Sequence, residues 1–176
     1  VIEILNSLNL KCLYKGKNID CNLIIGDARK EILNIPKEVI FDLIFLDGFS
    51  PQKCPEIWSY EFLSQIKNRI NHEGYLITYT SSAAVRKSLQ NLGFNLFNII
   101  PTLSTRNHWS YGTLATFDYQ QNNPYISQLS EMEIEHLNTK ASIPYRDPTG
   151  EMLSKEILEI REKEQKFSNL LNTNSW

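Results

Sequence analysis

Phe41-Asp42-Leu43-Ile44-Phe45-Leu46-Asp47-Gly48-Phe49-Ser50-Pro51 decides how this chain is read. Residues 43–46 are an unbroken apolar run between two aspartates, the pattern of a strand buried on both faces of a parallel sheet. The next residues end the strand. Gly48 permits backbone conformations closed to other residues, and Pro51 fixes φ and removes a donor. A carboxylate at the carboxyl end of such a strand stands where open α/β sheets bind ligands. An ordinary strand followed by a capped turn reads the same way from this stretch alone.

On the amino-terminal side, residues 1–10 carry Val1, Ile4, Leu5, Leu8 and Leu10 at near-helical spacing. Residues 11–20 are polar and read as a loop, and 21–25 as a short strand. Asp27 can cap a helix over 28–33, which Pro36 ends. On the other side, Pro55-Glu56 opens a helix to about residue 69, with Ile57, Trp58, Phe62, Ile66 and Ile70 in one stripe. A turn follows at 71–74, a strand at 75–79, and a helix at 83–92 that Gly93 stops. Strands at 94–100 and 112–119 flank a polar loop. This alternation, closed by two strands with no helix between them, predicts an α/β fold: a parallel sheet with an antiparallel hairpin at its edge. Residues 1–119 form that unit. Residues 120–176 are expected to be a linker and a helical extension, whose helix at 152–171 packs on the domain through Leu153, Ile157, Leu158 and Phe167.

With 176 residues the chain suits one domain with a real core. A net charge of −2 and a pI near 6.0 mean that bulk charge does not draw it to nucleic acid, so such a substrate needs a local basic patch. Cys12, Cys21 and Cys54 are odd in number and widely spaced, which argues against a disulfide framework or a zinc ribbon and suits a reducing cytosol. No apolar run reaches the length of a membrane span, and there is no signal peptide pattern. The chain opens on Val1 inside a helical pattern, so a fragment of a longer protein is expected.

Gly26-Asp27-Ala28 and Asp47-Gly48 each follow a predicted strand. Carboxylates at two consecutive strand ends suit a ligand with amine and hydroxyl donors, such as adenine, although each aspartate alone reads first as a helix cap or turn former. Asp47-Gly48-Phe49-Ser50-Pro51 resembles the Asp/Asn-Pro-Pro-aromatic loop of amino-group methyltransferases. There an unprotonated amine attacks a sulfonium methyl in line. A carboxylate can orient that amine and help accept its proton. Phe49 or Trp58 can exclude water and favour developing positive charge through a π face, while plain packing in the helix stripe is the other reading of Trp58. His72 and His108 lack metal-ligand spacing, so no metal is expected. Cys54 has no His or Asn frame that marks a nucleophile. Arg86-Lys87, Arg106 and His108 read either as a modest basic rim near the strand ends or as a solvated face and loop.

The longer stretch from Asp42 to Trp58, with Lys53 and Pro55 inside it, resembles the signature of the MnmC-type methyltransferase family. The resemblance continues through Gly26-Asp27-Ala28, Gly74 to Thr80, Val85-Arg86 and Leu92-Gly93-Phe94, and so spans residues 22–100. It implies a Rossmann-like methyltransferase fold, S-adenosylmethionine as donor, and the aminomethyl group of a modified tRNA wobble uridine as acceptor, in the cytoplasm. On this pattern Gly26, Asp27 and Ala28 lie near the adenine. Asp47, Gly48 and Phe49 face the methyl group and the amine, and Pro51, Lys53, Trp58 and Arg106 lie on the acceptor side. Two departures stand out. The family's Gly-rich first loop and the acidic residue after its second strand are absent, and both are expected to precede Val1. Fused members carry a Gly-Arg-Lys-Arg run before the last strand, where this chain has Arg106 alone. No FAD motif is present, so the oxidoreductase half is not in this chain, and a separate FAD-dependent oxidoreductase acting in the same pathway is the expected partner. An inactive remnant or binding scaffold, and a methyltransferase for small-molecule amines, are the alternatives.

Overall fold

The computed structural model describes residues 1–100, 112–118 and 123–173. In chain order the elements are α1 (Ile2–Lys11), β1 (Leu13–Lys15), β2 (Asp20–Asn22), α2 (Ala28–Asn34), β3 (Phe41–Phe45), a 3-10 turn (Pro55–Trp58), α3 (Tyr60–Lys67), β4 (Ile70–Thr78), α4 (Ala83–Asn91), β5 (Asn95–Ile99), β6 (Thr113–Thr116), β7 (Ile126–Gln128), α5 (Glu131–His136), a second 3-10 turn (Lys140–Ser142) and α6 (Ser154–Phe167). This is the α/β alternation the sequence predicts.

The main sheet runs β3-β4-β6-β5-β7. β3 and β4 are parallel, with Phe45 opposite Ile77 and a register shift between Phe41 and Leu43. The shift lets β4 start at Ile70, through residues 71–74 that the sequence reads as a turn. β5 and β6 form the expected antiparallel pair. β6 inserts between β4 and β5, and β7 adds outside β5, drawn from the stretch after the predicted linker. The carboxyl-terminal segment therefore completes the sheet as well as packing on it.

Two elements differ from the sequence reading. The segment 21–25 is not a strand of the main sheet. Its first residues pair with β1 in a separate two-stranded hairpin, where the sequence suggests a loop. Ile24 and Ile25 beyond it are exposed, and among the described residues β3 is an edge strand. The predicted helix 55–69 is broken at Ser59, whose backbone is extended. Its hydroxyl accepts from the Phe62 N–H and so caps α3, while the Tyr60 N–H turns away to donate to the Tyr145 carbonyl.

The core gathers between the sheet and α3, α4 and α6, where Trp58, Leu63, Leu76, Val85, Leu89 and Ile157 are fully buried. α6 docks through Ile157 and partly Leu158, whereas Leu153 and Phe167 are 69% and 80% exposed, contrary to the expected stripe. Gly93, as the helix stop, has φ +93°. Arg69 reaches back from the start of β4 to the carbonyls of Ile32, Ile35 and Pro36. These are the orphan acceptors at the end of α2, so this contact fixes α2 and the turn before it.

Arg86 is not part of a basic rim. It is 2% exposed, and its guanidinium donates to Thr113 Oγ1 at 2.9 Å, Asn98 Oδ1 at 2.6 Å and Glu133 Oε1 at 2.7 Å. Asn98 and the Ser130 N–H donate to the other Glu133 oxygen. Partial burial pushes the Glu133 carboxyl upward, but the bonds from Arg86, Ser130 and Asn98 together outweigh it and lower the pKa from 4.5 to about 2. A depressed carboxylate stabilises the fold above its unfolded pKa, and that contribution disappears as pH falls through the folded value. Stability should therefore drop between about pH 4.5 and pH 2. Glu133→Gln should lose about 1–3 kcal/mol at neutral pH and flatten this acid limb. Urea midpoints measured from pH 7 to pH 2 check both outcomes.

Candidate active site

The loop after β3 is held by contacts from two other segments, the end of β4 and the 3-10 turn. Leu46 N–H donates to the Ile77 carbonyl at 2.9 Å, the last rung before the two strands diverge. Beyond it, the Tyr79 hydroxyl donates to the Gly48 carbonyl at 2.9 Å and Trp58 Nε1–H to the Phe49 carbonyl at 2.7 Å. The Tyr79 and Trp58 rings meet edge to face, 6.1 Å apart at 88°. The Ser50 carbonyl accepts from Lys53 and Cys54, which turns the chain into the 3-10 segment.

Gly48 has no positive φ. The feature here is close approach: an added Cβ would run into Ile57 Cδ1, the far end of that side chain, which would have to shift to admit it. The sequence reading attributed Gly48 to an unusual backbone conformation, and close approach of a neighbouring side chain takes its place.

The clamp separates the loop's side chains. Asp47 and Phe49 project outward, Phe49 with 75% of its surface exposed, and Lys53 is exposed as well. Pro51 and Trp58 are buried. Trp58 sits in the core with its polar edge on the loop backbone, so it supports Phe49 from behind. Arg106 and His108 lie outside the described residues. Tyr79 was not singled out from sequence. The available signal was its place two residues past Ile77, as Asp47 is two residues past Ile77's partner Phe45. Burial, and then the nearby charge of Asp47, raise the Tyr79 hydroxyl above its ordinary pKa.

The second predicted carboxylate, Asp27, caps α2 through the Arg29 N–H. The Arg29 guanidinium grips both of its oxygens, at 2.7–3.2 Å, and holds it below the usual carboxylate range. Arg29 in turn donates to the buried Asp147 at 2.7 Å and to the Met152 carbonyl at 2.9 Å. Between this turn and β3 runs an open, mainly apolar groove of about 410 Å³. Gly26 and Ala28 line one side, Leu43, Ile44 and Leu46 the other, and Phe62 and Ile66 the floor. Leu46 leads directly into Asp47. Of the two predicted ligand-contacting segments, Gly26 and Ala28 line this groove, whereas Asp47, Gly48 and Phe49 follow its last β3-side residue, Leu46, and do not line it.

Cys54 is raised above its ordinary pKa, mainly by burial and then by Glu56, which keeps it a thiol. Among the described residues no group of three His, Cys, Asp or Glu side chains could hold a metal. Among them also, no helix is long and apolar enough to cross a membrane.

Residues 4–114 match the family model described as S-adenosyl-L-methionine-dependent methyltransferase. The chain belongs to that family. The crystal structure of MnmC2 from Aquifex aeolicus superposes with a TM-score of 0.77 at 32% identity, over 92% of this chain and 50% of that one. The methyltransferase fold is Rossmann-like, and S-adenosylmethionine is the family's methyl donor. An uncharacterized protein of Methanocaldococcus jannaschii is 29% identical over 160 residues, which cover 90% of this chain and 42% of that protein. The tRNA 5-methylaminomethyl-2-thiouridine biosynthesis bifunctional protein MnmC of Campylobacter hominis is 42% identical over 81 residues, 45% of this chain and 12% of its own length. The chain spans half or less of the length of each of these relatives.

Gly48→Ala is expected to force the Ile57 side chain or the loop aside, at about 1–3 kcal/mol. Ile57→Ala removes the obstacle. The double variant should lose clearly less than the sum of the two single losses in a denaturation cycle, and strict additivity would show that this contact does not set the loop's position.

Proposed function

We propose that this chain is the acceptor-side part of an S-adenosylmethionine-dependent N-methyltransferase whose substrate is the aminomethyl group of a modified tRNA wobble uridine. The observation that carries this reading is the clamped Asp47-Gly48-Phe49 loop beside the groove, inside the stretch that matches the methyltransferase family. The names of the MnmC relatives support the choice of acceptor.

The reaction needs little covalent help from the protein. The acceptor nitrogen must be neutral, since an ammonium has no lone pair to attack with. Its lone pair forms the N–CH3 bond while the S–CH3 bond breaks, and the electron pair of that bond stays on sulfur as a neutral thioether. The resulting ammonium then gives up a proton. Asp47 orients the amine and accepts or relays this proton. Phe49 offers an exposed ring that shields the reacting centre from water and favours its positive charge. The fixed loop backbone supplies positioning, the larger part of catalysis in such transfers.

Gly26, Asp27 and Ala28 are assigned to the donor's adenosine end. The apolar wall of Leu43, Ile44 and Leu46 suits a flat heterocycle, and Asp27, both of whose oxygens accept from Arg29, fixes the turn that carries Gly26 and Ala28. Pro51 and Trp58 serve the acceptor by shaping the loop from within, while Lys53 and Arg106 are assigned to phosphate contacts. A tRNA substrate and three free cysteines suit the cytoplasm, with an FAD-dependent oxidoreductase of the same pathway as a separate partner.

Asp47→Ala should lower methyl transfer to aminomethyl-uridine tRNA by about 100-fold or more, with the donor's dissociation constant little changed. Labelled methyl transfer and calorimetry measure the two quantities. Unchanged turnover would remove Asp47 from the mechanism. Transfer to small amines in preference to tRNA would replace the acceptor named here.

A further inference from the structure

We propose that Tyr79 is a second acceptor-contacting residue of this site and that, paired with Asp47, it selects primary over secondary amines. This rests on the methyltransferase reading above and goes beyond it to the substrate's degree of substitution.

The geometry begins with register. Phe45 and Ile77 are direct partners on the parallel strands β3 and β4. Asp47 and Tyr79 each lie two residues further on. Both lie past the last paired residues, and the loop brings them together: the Tyr79 hydroxyl donates to the Gly48 carbonyl, in the residue next to Asp47. Tyr79 is 46% exposed, which leaves part of its ring and hydroxyl open to a ligand. The ring is held edge-on by the buried Trp58, so the hydroxyl has a defined position. The raised pKa of that hydroxyl, from burial and from the Asp47 charge, keeps it protonated at neutral pH.

A phenol has a single O–H to donate, and here it is committed to the Gly48 carbonyl at 2.9 Å. Towards any other group the Tyr79 oxygen therefore acts as an acceptor. The Asp47 carboxylate is an acceptor as well. A neutral primary amine carries two N–H bonds and one lone pair in a tetrahedral arrangement. Two acceptors at adjacent strand ends can take both N–H bonds, which turns the lone pair away from them and towards the incoming methyl group. A neutral secondary amine has one N–H. It satisfies only one acceptor, and its remaining substituent is directed at the other. The first methylation is thereby favoured and the second is not. No new oxidant or co-reactant is required, since the bond changes are those of the transfer already described.

The test compares the whole protein with its Tyr79→Phe and Asp47→Ala variants. The acceptors are tRNA carrying the aminomethyl-uridine and tRNA carrying its monomethylated, secondary-amine form. Tyr79→Phe keeps the ring packed on Trp58. Its turnover of the primary amine should fall roughly five- to tenfold, the effect of one hydrogen bond on a barrier. Losing the bond to the Gly48 carbonyl lowers turnover of both acceptors by a shared factor, so this fall is the loss on the primary amine relative to the secondary one, and the ratio between the two narrows by it. Donor affinity by calorimetry should stay unchanged, while the thermal midpoint falls slightly with the lost bond to the Gly48 carbonyl. An equal loss on both acceptors, which leaves the ratio unchanged, would overturn the role of Tyr79 and leave the methyltransferase reading intact. No transfer to either acceptor by the unaltered protein, or full activity of Asp47→Ala, would instead overturn the underlying reading and this inference with it.

Discussion

Two successive peptide carbonyls, of Gly48 and Phe49, are held by side chains from two different elements. Most of the site depends on that constraint. Tyr79 comes from the end of the neighbouring strand and Trp58 from the 3-10 turn that follows the loop. The two rings also brace each other. A strand end with no such ties would leave Asp47 free to sample many positions, at an entropic cost on each productive encounter. Holding the backbone leaves the side chains of Asp47 and Phe49 exposed.

The carboxyl-terminal segment acts on the opposite side of the groove. Arg29 is the link: it grips Asp27, which caps α2, and is itself held by Asp147 and the Met152 carbonyl. Asp147 is 1% exposed, and its backbone N–H donates to Glu61 on α3. Tyr145 pairs with Ser59, and Arg161 on α6 lies 4.6 Å over the Tyr145 ring. The far end of the chain thus tightens the turn assigned to the donor through paired, desolvated groups.

Much of this was legible in the sequence, and what was not has local causes. The apolar run 43–46 between aspartates reads directly as a sheet strand, and Asp27 and Gly93 as a cap and a stop, because those signals are local. The run 21–25 carries the same apolar signal but pairs with 13–15, and which neighbour a short strand finds is not a local property. The break at Ser59 depends on Tyr145, 86 residues away. Arg86 reads as a surface charge until Glu133, Asn98 and Thr113 are brought around it. Trp58 was read either as core or as site. Its ring lies in the core and its single donor reaches the loop backbone. Tyr79 stayed hidden in a strand because its value comes from the register with β3.

The clamp acts only on backbone atoms of the loop, which has a consequence for how such a site can change over time. Carbonyls at 48 and 49 are present whatever side chain stands at position 49 or 50. The outward residues can therefore be exchanged without loosening the frame, whereas changes at 48, 57, 58 or 79 alter the frame itself. Shape and chemistry are inherited separately here. New acceptors can be explored through the exchangeable positions, on a scaffold that keeps its form.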